Sequence, residues 1–115
     1  MDIPEDELEI DPDQVHEIME KEPEKIFVID VREPWEFVSN SGHVKGAVNI
    51  PMNDIPDKLD FMKQLEGKII ALICHSGERS YYACQFLRDS EIKSAFSVRG
   101  GIMKWLRNGH DVEFE

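Results

Sequence analysis

One stretch of the chain combines a nucleophile with groups that would activate it: Cys74-His75-Ser76-Gly77-Glu78-Arg79-Ser80. Thiolate, not thiol, is the attacking species, and a cysteine with a pKa near ~8.5 is only about 3% ionised at neutral pH. Arg79 brings a positive charge, and Gly77 lets backbone N–H groups turn inward without a Cβ clash. The segment that follows is helical in pattern, with Ala83, Phe86 and Leu87 on one face. Its N-terminus would aim unpaired N–H groups and about half a positive charge at the loop. A lowering of about two pKa units, ~2.7 kcal/mol of differential stabilisation, is within the range of such sites. An isolated cysteine at a strand end is ordinarily a small buried hydrophobe. The glycine and arginine at these offsets argue for chemistry instead.

The elements around the loop set its position. Ile69 through Cys74 is an unbroken apolar run with no alternation, as is Ile26-Phe27-Val28-Ile29 before Asp30; both suit strands buried on two faces in a parallel sheet. Ala95-Phe96-Ser97-Val98 is a third strand, and a short fourth covers 47–50 between turn signals at Gly42, Gly46 and Pro51. Helical stretches lie between them, at 34–40, 54–65, 78–89 and 101–108. Another begins with Asp11 as N-cap and Pro12 at the first position, and stops before Pro23. Strands alternating with helices predict an α/β fold with a mainly parallel sheet. Ligands bind beyond the carboxyl ends of such strands, where Cys74 falls.

Length and charge narrow the classes. The 115 residues fit one domain, and no internal repeat or low-complexity tract divides them. The formal charge of −11, with no Lys/Arg cluster, sets nucleic acid and anionic membrane surfaces aside as partners. Residues 1–25 hold 11 acids and 2 bases, while the rest hold 13 and 11. Residues 1–7 therefore read as an acidic tail and 8–115 as the domain. The longest apolar run is far short of the ~20 residues of a spanning helix, and the acidic start does not resemble a signal peptide. Two cysteines are too few for a disulfide framework, so a reduced cytoplasmic location is expected.

The loop resembles that of the rhodanese family, Cys-x-x-Gly-x-Arg-Ser/Thr, with Cys74, Gly77, Arg79 and Ser80 at every specified position. Two further blocks agree: Asp30-Val31-Arg32-Glu33-Pro34-Trp35-Glu36-Phe37 with Gly42-His43-Val44-Lys45-Gly46-Ala47-Val48-Asn49-Ile50-Pro51 upstream, and Val98-Arg99-Gly100-Gly101 with Trp105 downstream. The resemblance spans roughly residues 8–110. It implies a rhodanese-like α/β domain, with a central, mostly parallel five-stranded sheet flanked by helices.

It also implies sulfur transfer. Cys74 would take the outer sulfur of thiosulfate or another small anionic donor as a persulfide and pass it to cyanide, a thiol or a sulfur-relay protein. Backbone N–H groups of His75, Ser76, Gly77, Glu78, Arg79 and Ser80 would cradle the persulfide and the donor's anionic end, with a Cβ at Gly77 narrowing the cradle. Arg79 would either face an anionic donor or pair with a carboxylate and brace the loop, and Ser80 would cap or line the first helical turn. His75 is a candidate base, though a cysteine at a helix terminus needs none. His43 reads as structural, Arg32 and Glu36 are spaced to pair across a helix start, and Cys84 reads as a packed thiol. No cofactor is expected, nor a metal at Cys74, His75 and Cys84, where no fourth ligand is suggested. Two other readings stand beside transfer: a non-catalytic or redox-sensing binding module, and a cysteine phosphatase. The second is disfavoured by four residues between Cys74 and Arg79 where that loop has five, and by Glu78 inside the loop.

Overall fold

The computed structural model describes residues 7–114. Five strands form one sheet: β1 (Glu9–Ile10), β2 (Ile26–Asp30), β3 (Val48–Asn49), β4 (Ile69–Ile73) and β5 (Ala95–Val98). Their order is β1-β5-β4-β2-β3, and every neighbouring pair is parallel. β4 is central, in register with β2 from Ile26 against Ile69 to Asp30 against Ile73. The expected α/β architecture is thus observed, with a sheet that is parallel throughout.

The absence of alternation in β4 has its cause in two cores. Ile70, Leu72 and Cys74 point to one face, with Ile29, Ala83, Cys84 and Leu87; Ala71 and Ile73 point to the other, with Val15, Ile102 and Trp105. Helices α1 (Pro12–Lys21) and α5 (Gly101–Arg107) supply the second face. Helix α4 (Glu78–Asp89), the short α3 (Leu59–Lys63) and the 3₁₀ segment Met52–Lys58 supply the first.

Three element boundaries differ from expectation. Helix α2 covers only Pro34–Phe37, because the Ser39 hydroxyl bonds the Glu36 carbonyl at 2.6 Å and diverts the chain from a helical ladder. The 54–65 stretch is 3₁₀ up to Lys58 and α-helical only afterwards, since Pro56 has no N–H to give and crowds the preceding turn. Strand β1 is a two-residue strand beside β5, too short to leave a period in the sequence. The acidic segment at 1–7 lies, except for Glu7, outside the described residues. No helix among those described is long and apolar enough to cross a membrane.

Candidate active site

Cys74 is the first residue beyond β4 and is 1% exposed. Two amides donate to its sulfur, the Gly77 N–H at 3.1 Å and the Ser80 N–H at 3.4 Å, and the Ser80 hydroxyl lies within hydrogen-bond distance of it at 3.4 Å. Gly77 is the N-cap of α4, with φ +104°, and Ser80 is in its first turn, so the helix terminus does face the thiol. The Ser80 hydroxyl also lies 2.7 Å from that of Ser97 on β5 and 3.3 Å from the Gly77 carbonyl. Ser80 therefore does not cap the helix; it joins the sulfur to the sheet.

The other polarity of the loop is fixed from β5 onward. The N–H groups of Ile102 and Met103, in the first turn of α5, donate to the carbonyls of Cys74 (2.8 Å) and His75 (3.1 Å). With those carbonyls held by α5, the amide side of the loop is left to the sulfur. Close approach requires Gly101: at φ +58°, a Cβ there would sit 2.5 Å from both carbonyl oxygens. Gly77 has a related restriction, but a Cβ would meet the Gly100 nitrogen at 3.2 Å and the Val98 carbonyl at 3.7 Å rather than narrow the cradle. Its constraint is the left-handed backbone and its packing on the 98–100 turn.

Arg79 grips Glu36 in a two-pronged pair, at 2.6 and 2.8 Å. Glu36 also accepts the Glu33 N–H at 3.1 Å, so one carboxylate caps α2 and ties it to α4. The Arg79 hydrogen bonds hold the Glu36 carboxyl down at about 2. The expected Arg32–Glu36 pair does not form. Arg32 folds back on Asp30, at 3.0 and 2.8 Å, and donates to the Gly42 carbonyl and the Ser41 hydroxyl. Both charges are buried, so leaving either unpaired would be costly, and the pair holds the β2 exit to the 41–42 turn. His43 braces that turn as expected: its Nδ1 is 2.8 Å from the Phe37 carbonyl, and its ring stacks on Phe37.

His75, Ser76 and Glu78 are exposed at the mouth. A cleft of about 260 Å³ beside the loop is lined by Glu9, Ser76, Gly77, Glu78, Tyr81 and Tyr82. Another cleft, about 640 Å³, is lined by Met62, Lys68, Ile92 and neighbours at the opposite end of the sheet, remote from the cysteine. Cys84 is unlike Cys74. Its thiol donates to the Ala95 carbonyl at 3.2 Å and the Leu8 carbonyl at 3.6 Å, and burial pushes it up to about 11. The residues that sequence reading passed over are Ser97, Gly101 and Glu36 as the partner of Arg79. The Gly100-Gly101 pair was visible as a signal of close backbone approach.

A parallel sheet whose central strand delivers a cysteine to two amides at the start of a helix defines an α/β protein with a sulfur-centred loop. The chain belongs to the rhodanese family: the family model for the rhodanese-like domain matches residues 11–108. It is 31% identical over 86 residues to a sulfurtransferase of Allochromatium vinosum, covering 75% of this chain and 77% of that protein. It is 38% identical over 82 residues to a Bacillus subtilis protein whose sulfurtransferase name is itself provisional, covering 71% and 75%. Among solved structures, a rhodanese-related protein of Thermoplasma volcanium superposes with a TM-score of 0.80 at 30% identity, covering 93% of this chain and 98% of that one.

Proposed function

We propose that this domain is a cytoplasmic sulfurtransferase that carries sulfane sulfur on Cys74 from thiosulfate or another donor to cyanide, a thiol or a sulfur-relay protein. The observation that carries this reading is the convergence of two amides and one hydroxyl on the Cys74 sulfur. In the first half-reaction the Cys74 thiolate attacks the outer sulfur of thiosulfate. The new S–S bond forms as the bond to the sulfonate sulfur breaks, and sulfite leaves with the electron pair. In the second half-reaction an acceptor thiolate or cyanide attacks the outer persulfide sulfur, and Cys74 leaves as thiolate. Cys74 is thus nucleophile in one step and leaving group in the other. The same amides face its sulfur in both.

The phosphatase reading finds less support. A phosphoryl group needs a free arginine fork, and both terminal nitrogens of Arg79 are on Glu36. The test is thiocyanate production from thiosulfate and cyanide. Activity that disappears in Cys74→Ser with the fold retained supports transfer. Efficient hydrolysis of an aryl phosphate with no thiocyanate would overturn it.

A further inference from the structure

This inference rests on the sulfur-transfer reading and concerns which substrates such a site accepts. The cations that flank the loop are already neutralised. Arg79 is held by Glu36, and the pair is stiff because Glu36 is also bonded to the Glu33 amide at the start of α2. Arg99, next to the Gly100-Gly101 turn that touches the loop, is shared by Asp11 at 2.8 Å and Glu9 at 3.4 Å. Lys104 approaches Asp11 at 3.6 Å, and Arg32 is consumed by Asp30. Against these stands Glu78 on the cleft beside the loop, while Glu9 on the same cleft is already engaged by Arg99. Glu78 is exposed and makes no ion pair among the described residues. A dianion entering this mouth meets net negative charge and no free guanidinium. A bound persulfide, itself an anion, adds to that field.

We propose that Glu36, by holding Arg79, and Glu78, at the mouth, make this site select against small dianionic sulfur carriers and for thiols presented beside positive charge, such as an aminothiol or a cysteine on a basic protein surface. Glu36 is a specificity-determining residue here, although it touches neither sulfur. The selected step is the second half-reaction. The acceptor thiolate forms an S–S bond to the outer sulfur, the Cys74 S–S bond breaks, and its electron pair stays on the Cys74 thiolate. Charge and oxidation state balance without a further reagent. An adjacent ammonium offsets the repulsion between the two approaching anions.

The test loads the full chain with sulfur from excess polysulfide and measures transfer to three thiols of similar size at equal thiolate concentration: cysteamine (cationic), 2-mercaptoethanol (neutral) and mercaptoacetate (anionic). The expected order of second-order rate constants is cysteamine, then mercaptoethanol, then mercaptoacetate, with a spread of at least about fivefold at low salt that shrinks as salt is added. Glu36→Gln and Glu78→Gln should each raise kcat/KM for thiosulfate about three- to tenfold at low salt and compress that order. A flat or reversed order in the wild type, or unchanged thiosulfate kinetics in a folded Glu78→Gln, would overturn the inference. Glu78 is exposed and unpaired, so that variant decides the matter if Glu36→Gln does not fold. Failure of every donor to load Cys74 would sink the sulfur-transfer reading itself; loading followed by a flat order would sink only the selectivity.

Discussion

At the residue scale the two cysteines are chemically opposite although both are buried. The Cys74 sulfur accepts from two amides and lies beside the Ser80 hydroxyl, whereas the Cys84 thiol donates to two carbonyls. Burial keeps Cys84 protonated up to about 11, so it is thiol at pH 8. Iodoacetamide on the native protein at that pH should modify Cys74 and spare Cys84, read by peptide mass mapping; equal labelling would contradict the assignment. The Ser80 hydroxyl lies 3.4 Å from the reactive sulfur, and a hydrogen bond donated from it to the thiolate would contribute ~1.5–3 kcal/mol. Ser80→Ala should therefore lower turnover by about tenfold or more. Buried Ser97 loses its hydroxyl partner in the same variant, so a loss of about 1–3 kcal/mol in chemical denaturation should accompany the slower turnover.

At the element scale, the loop is a product of two helix starts. Helix α4 presents N–H groups to the sulfur, and α5 ties the Cys74 and His75 carbonyls out of the way. Gly101→Ala tests the second contribution: a Cβ 2.5 Å from two carbonyl oxygens forces the loop to shift, and φ +58° adds strain. The variant should lose ~2 kcal/mol or more in chemical denaturation and most of its transfer activity, whereas a turnover close to wild type would show that the α5 clamp is dispensable. What sequence made legible here followed from strong local signals. Strands β2 and β5 and helix α4 fall at the residues that apolar runs and capping patterns indicate. The Cys74 loop was legible because its glycine and arginine sit at fixed offsets. The Arg79–Glu36 pair was not, because its partners are 43 positions apart and Arg32 offered Glu36 a nearer choice. Local spacing cannot show that Arg32 is already spent on Asp30.

At the scale of the whole molecule, the charge of −11 is concentrated in the first 25 residues, yet the mouth of the site carries an acid of its own in Glu78. Of the two roles the sequence left open for Arg79, the pair with a carboxylate is the one seen, at Glu36. That pair also links acid stability to the active site. The folded Glu36 carboxyl is depressed to about 2 from an ordinary 4.5, so its stabilising contribution is complete above about 4.5 and is lost as pH falls toward 2. Melting temperature followed from pH 5 to pH 2 should drop less steeply in Glu36→Gln than in the wild type; identical slopes would mean that the pair contributes nothing to folding. The central claim, that Cys74 carries sulfur, is tested most directly by intact mass after incubation with thiosulfate or polysulfide. The account predicts a gain of one sulfur atom that cyanide or a dithiol removes and that Cys74→Ser does not show, whereas an unchanged mass with every sulfur donor would contradict it.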